Sequence, residues 1–276
     1  MKTILVLWLA LLTVAPAYAE SPIRTSLSAG WTADDNVTRA SRGSDIEADS
    51  YVTLEAASRY QLPLDRDSFL AFQAALQLNR YQTFDRLGGN RLRVEASYHI
   101  RPGSGFTAPG YFVSLAYEKR MFDSAQREGA ASRIGLGMHK RLTEIMSLSA
   151  GYLVQTVSAN SVVFETDSNR LYVDVEWLVT GRNTLYLTLS RFDGDIVATT
   201  RASTVSYVSV RDDAYLDLMP YRYAYRFDAT TTAIKLGNAF AIDSRQGLDM
   251  SVYVYNASAY RDYSGAIVSL YYSWSF

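Results

Sequence analysis

The residues best equipped for chemistry in this sequence are arginines and carboxylates set at every second position. Arg91, Arg93, Glu95, Ser97, His99 and Arg101 take the odd positions of one segment, and Arg170, Tyr172, Asp174 and Glu176 the even positions of another. Other segments continue the series with Arg24, Glu55, Arg59, Glu118, Arg120, Arg133, Arg141 and Lys235, so that ten basic residues face five acidic ones. Guanidinium stays charged in confined surroundings and stacks on aromatic rings. Charges lining a low-dielectric tube raise the local counter-ion concentration, so this face suits small anions. The other outcome is a closed interior in which the carboxylates bridge the arginines and nothing passes.

Catalytic chemistry finds less support. His99 and His139 are the only histidines, and Ser114 falls on the segment between them, which invites a Ser-His pair. Neither histidine stretch forms a His-x-Ser motif, and both lie at the end opposite the outer leaflet, so no catalytic residue is expected. Asp193 and Asp195 have no histidine beside them and are expected to hold a divalent ion or to be solvated. With no Cys in the chain, thiolate metal sites and disulfides are excluded, and no Gly-rich phosphate cradle is present. No cofactor is expected.

The element that must carry these residues is a strand, because side chains alternate faces with period two. Ala266, Val268, Leu270, Tyr272, Trp274 and Phe276 are apolar or aromatic, while Ser269, Tyr271, Ser273 and Ser275 are polar or hydroxylated. The pattern returns in twelve segments, at about 23–33, 50–62, 68–81, 91–101, 110–122, 132–142, 147–157, 169–179, 184–192, 229–242, 248–259 and 265–276. Each matches the roughly 9–11 residues with which a tilted strand crosses hydrocarbon. Short connections at 63–67, 102–109, 143–146, 180–183 and 243–247 alternate with mostly longer ones, as in bacterial outer-membrane barrels. The five prolines beyond Pro16 avoid strand interiors. Outward rings at Tyr60, Tyr98, Tyr111, Trp177, Trp274 and Phe276 suit one lipid interface, and Trp31 and Tyr260 the other. A soluble sandwich would bury its apolar faces and need no such belts. The expectation is an all-β, antiparallel up-and-down transmembrane barrel of about twelve strands. A second alternating stretch from Thr204 to Val210, followed by Tyr215 to Leu218, leaves fourteen as the alternative.

Residues 1–19 read as a cleavable signal peptide, with Lys2, an apolar run from Ile4 to Val14 and Ala17-Tyr18-Ala19. Residues 20–276 are then the barrel domain, reaching the outer membrane through the periplasm. Without Lys2 the balance is 26 basic to 28 acidic residues, giving no sign of nucleic-acid binding. The expected partners are membrane lipid and lipopolysaccharide, with Arg80, Lys119 and Arg191 near lipid phosphates and Lys140 snorkelling to the lower headgroups. Segment 193–228 concentrates Tyr207, Tyr215, Tyr221, Tyr223 and Tyr225 with Arg211, Arg222 and Arg226. It is expected either to constrict the lumen or to project outward.

The ending Tyr272, Trp274, Phe276 resembles the assembly signal of outer-membrane barrels, which implies recognition by the barrel-assembly machinery. Ala29-Gly30-Trp31 with Asp34-Asp35-Asn36-Val37 resembles the first strand and loop of surface lipoprotein assembly modifier barrels, but the helical repeats of that family do not precede it. Read without that likeness, the loop is Asx-rich, its side chains bonding nearby backbone. The functional expectation is a porin-like channel for small anionic solutes. The alternatives are an export or assembly barrel for a surface polymer or lipoprotein, a structural or adhesive barrel with a plugged lumen, and last an outer-leaflet hydrolase.

Overall fold

The computed structural model describes residues 23–201, 208–259 and 262–276. The signal-peptide region, Tyr207, Tyr260 and the start of the Thr204 stretch lie outside the described residues. Alternation produces strands along nearly the whole chain: β1 (Ile23–Asp34), β2 (Asp49–Pro63), β3 (Ser68–Tyr81), β4 (Gly89–Ile100), β5 (Gly110–Phe122), β6 (Gly129–Arg141), β7 (Met146–Ala159), β8 (Thr166–Thr180) and β9 (Asn183–Thr200). A short β10 (Ser209–Arg211) precedes β11 (Tyr223–Ala241), β12 (Gln246–Ser258) and β13 (Tyr263–Ser275). Each long strand pairs antiparallel with its neighbours, and β13 returns to β1 from Ser26 opposite Ser275 to Asp34 opposite Ile267. The twelve long strands therefore close into a barrel with no open edge, which satisfies every wall N–H and C=O internally, as a lipid-facing sheet requires.

The fourteen-strand alternative falls at one place. Leu216 to Leu218 form a turn after a 3-10 segment (Asp213–Tyr215), and Ser209–Arg211 pair only with the outer end of β11. Two expected strands were instead too short. β9 and β11 run in register from Phe240 opposite Asn183 to Tyr223 opposite Thr200 and stand above the rim as an arm. Asp193, Asp195 and Asp228 end the hydrophobic alternation there, but the backbone ladder continues.

The outer face of the wall is apolar. Leu115, Leu136 and Leu236 are 57%, 56% and 58% exposed, and neighbouring strands add Leu54, Val113, Ile134, Leu171 and Val252. A continuous apolar surface of this kind calls for a covering medium. Trp31, Tyr98, Tyr111, Trp177 and Trp274 are likewise exposed on it. No helix among the described residues is long and apolar enough to cross a membrane.

On the inner face, several rings lie flat on the wall. Tyr271 covers Gly30 and Tyr186 covers Gly237, where an added Cβ would come within 2.2 Å of ring atoms in each case. Only glycine allows this approach, and a cross-strand ring compensates for the missing side chain.

Candidate functional site: a basic lumen beneath a capped mouth

The register sets the expected residues on the inner face in two groups. Along β4, β5 and β6, Arg93 bonds Glu95 at 2.6 Å, Arg120 bonds Glu118 at 2.7 Å, and Arg133 reaches Glu118 at 3.3 Å while its Nε donates to Gln155 at 2.6 Å. Glu118, 6% exposed, is thus held by two guanidiniums. Arg91, opposite Arg120, stacks over Phe122 at 5.4 Å, and its buried Nε has no hydrogen-bond partner. The second group faces it across the lumen. Arg170 lies between Tyr172 (5.2 Å) and Phe192 (5.0 Å), and Lys235 sits 5.2 Å over Tyr186.

Towards the periplasmic end, Arg24 pairs across β1–β2 with Arg59, one position in the ladder from Ser58 and Thr25. Glu55 stands opposite Gln77, Asp174 opposite Thr188, and Glu176 accepts from Ser147 at 3.0 Å. Two expected wall residues serve the rim instead. Arg101 has passed the end of β4 and donates to the carbonyls of Gly105 and Phe106, and Arg141 stacks on Phe106. Among the described residues, Arg24, Arg59, Arg91, Arg101, Arg141, Arg170 and Lys235 form no ion pair.

His99 is sandwiched by Phe69 (4.4 Å) and Phe112 (5.8 Å), and its Nε2 meets Ser97 Oγ at 2.9 Å. Ser114 lines the same cavity of about 190 Å³, but the serine bonded to His99 is its own strand's Ser97. His139 meets Ser149 at 2.9 Å. Arg191 and Thr230 both donate to Asp193, and Asp195 accepts from the Asp167 N–H. No cluster of three metal-ligating side chains occurs among the described residues. Arg80 is paired with Asp123, so Arg80 and Arg191, expected at lipid phosphates, each have a carboxylate of their own.

The outer mouth is crossed by residues 208–222. This segment leaves the β9–β11 arm and reaches the rim half-way round the ring, where Tyr215 packs on Phe84 (4.7 Å) in the β3–β4 connection. Asp213 accepts from Ser124 at 2.5 Å and Asp212 pairs with Arg127 at 2.6 Å, both in the β5–β6 connection. Asp217 pairs with Arg86. On the third side Arg222, 1% exposed, donates to Asp45 at 3.2 Å and to Glu47 in the β1–β2 connection. Thr199 bonds Asp212 and Thr200 bonds Asp45, tying the arm to the same carboxylates. Burial raises the Tyr215 phenol above its usual pKa, so the ring remains neutral in its socket.

The β1–β2 connection is itself locked. The Asn36 N–H donates to Asp34, and the Asn36 side chain donates to the Ala40 and Ser264 carbonyls. Arg39 clasps Asp34 and donates to the Tyr255 hydroxyl. Burial opposes the Arg39 charge, but the adjacent Asp34 carboxylate outweighs it and raises the Arg39 pKa. The Asx-rich reading of this loop describes its geometry directly.

Sequence reasoning passed over Asp249, which faces inward and accepts from Tyr186 at 2.9 Å. It also passed over the inward rings Tyr253, Tyr255 and Tyr263. Their parity with Ser251 and Ser269 was the available signal, since an inward tyrosine interrupts polar alternation no more than a serine does. Arg39 had no such signal, being in a loop.

No protein-family model matches the chain, and no curated protein matches it by sequence. Among solved structures, it is similar to an outer-membrane channel from Pseudomonas putida F1, at a TM-score of 0.59 and 11% identity over 95% of this chain and 99% of that one. It also aligns with the KdgM porin (TM-score 0.45, 12% identity, 91% and 99% covered) and the NanC porin (0.46, 10%, 91% and 98%). The first similarity carries the fold: a closed barrel of the kind an outer-membrane channel uses.

Proposed function

We propose that this chain is a porin-like channel of the Gram-negative outer membrane, selective for small anionic solutes, whose outer mouth is held shut by residues 208–222. The observation that carries this reading is the set of inner-face cations without carboxylate partners, Arg24, Arg59, Arg91, Arg170 and Lys235. Unpaired charge in a confined tube concentrates counter-ions, whereas a salt-bridged filling would not. The signal-peptide pattern at 1–19 supports export through the periplasm. Tyr272, Trp274 and Phe276, on the outward face of the last strand, are the segment the assembly machinery would read, and lipopolysaccharide would meet the outer rim.

The cap favours a second reading, a structural barrel with a sealed lumen. Planar-bilayer recording separates the two, using the full chain and a variant in which residues 201–222 are replaced by Asn-Gly. Thr200 and Tyr223 already face each other, so a two-residue turn can join them. Anion-selective steps in a salt gradient are expected, at least from the shortened variant. Silence from both proteins, with heat-modifiable folding intact, overturns the channel.

A further inference from the structure

Beneath the cap, a chamber of about 360 Å³ opens between β8, β9, β11, β12 and β13 and the side chain of Arg39. The rings and alkyl groups of Phe192, Ile196, Tyr253, Tyr255 and Tyr263 line it, beside hydroxyl and carboxylate residues of β8, β9 and β11. Tyr255 and Tyr263 meet edge to face at 5.9 Å and 67°, backed by the buried Ala233 and Ala257. The volume lies near the lower limit of small-molecule sites, roughly 300–1,000 Å³, and so suits one ring.

Charge narrows the ligand further. Arg39 is committed to Asp34, with bonds of 2.9 and 2.6 Å, and adds no free charge. Arg170 differs. Its guanidinium stacks over Phe192, a chamber wall, it forms no ion pair among the described residues, and its buried Nε has no hydrogen-bond partner. Phe192 is shared between this guanidinium and the chamber, so Arg170 borders the chamber through that ring. A cation held by rings on its flat faces keeps its N–H edge available to a carboxylate.

We infer that this chamber binds a single-ring aromatic carboxylate, its ring against Tyr255, Tyr263 and Phe192 and its carboxylate at Arg170. The inference rests on the channel reading and names the solute class for it. An acidic sugar fits less well, because it offers no aromatic face to pack against Tyr255, Tyr263 and Phe192.

The test is calorimetric titration of the full chain in detergent, which leaves both barrel ends accessible, with benzoate, benzyl alcohol and gluconate as probes. Benzoate is expected to bind at least about tenfold more tightly than either other compound, because only it supplies both ring and charge. Arg170→Gln should weaken benzoate about tenfold and leave benzyl alcohol unchanged. Equal binding of benzoate and gluconate, or benzoate binding indifferent to Arg170→Gln in a folded barrel, overturns the inference. If that variant does not fold, the three-probe comparison on the unaltered chain decides alone. Conductance without benzoate preference refutes the chamber and leaves the channel standing; benzoate binding in a barrel that never conducts refutes the channel.

Discussion

The two ends of this barrel close their strands in different ways. At the periplasmic end the connections are brief, and their side chains serve local backbone: Asp243 accepts from Arg245 and Gln246, Asp65 from Asp67, and Thr143 from Ile145 and Met146. At the outer end, side chains span the opening. Arg222, Asp212 and Tyr215 are almost wholly buried although all three lie in a connection. At one end the connections bond within themselves and to the adjoining strand, as in the Arg101 N–H to Asp67 and the Leu178 N–H to Ile145, while at the other the β9–β11 arm with residues 208–222 is tied to four other connections, the fourth through Arg226 to Glu165.

The contrast is most completely broken by replacing 201–222 with Asn-Gly. Conductance in a bilayer should rise by about an order of magnitude if field and solute enter freely through the charged mouth, while the gel mobility of the folded barrel stays as it was. An unchanged conductance would mean that the segment does not obstruct the passage. Arg222→Met should have the next largest effect. Asp45 and Glu47 keep only the longer contacts to Arg201 at 3.8 Å, so the loss should cost up to about 3 kcal/mol, the low end for removing one member of a buried pair, and should expose 208–222 to protease while the β-strands remain resistant. Tyr215→Ala should loosen the opposite anchor by about 3 kcal/mol through the void left against Phe84, seen as faster amide exchange in the Asp213–Tyr215 turn.

Smaller effects sharpen the comparison from the periplasmic side. Asp243→Ala removes one turn cap and should cost about 1 kcal/mol or less, with no change in conductance; a large change would show that this end also gates. Acid should act more weakly still. The backbone N–H of Asp67 holds the Asp65 carboxyl below its usual range. Its contribution is thus complete above the unfolded value of 3.8 and disappears as pH falls through the lower folded value. Amide exchange at Asp67 should speed up only in that acid window.

Much of the wall was legible because lipid outside and water inside impose a two-residue rhythm that needs no distant partner to be read. Strand number, direction and the inward parity of Arg91, Arg93, Glu118 and Arg170 followed from that rhythm. The cap did not follow. Arg222 meets Asp45 and Glu47 across 175 to 177 residues of sequence, and nothing local distinguishes it from the solvated Arg211 nearby. The upper half of β9 was missed for a related reason: its outward aspartates stand above the hydrocarbon, where polarity marks height and not the end of a strand. The chamber fell between these cases, since its tyrosines sit at readable positions but become one site only once β12 and β13 meet β8 and β9 around the ring.

The rings lying on Gly30 and Gly237 take their space from the wall itself. A tyrosine pressed against bare backbone occupies the thickness of one aromatic plane, so the bore depends on the methyl groups these two positions lack. Adding one would tip the ring towards the opening like a damper in a flue, and at Gly237 would also unseat Lys235 and Asp249, which both rest on Tyr186.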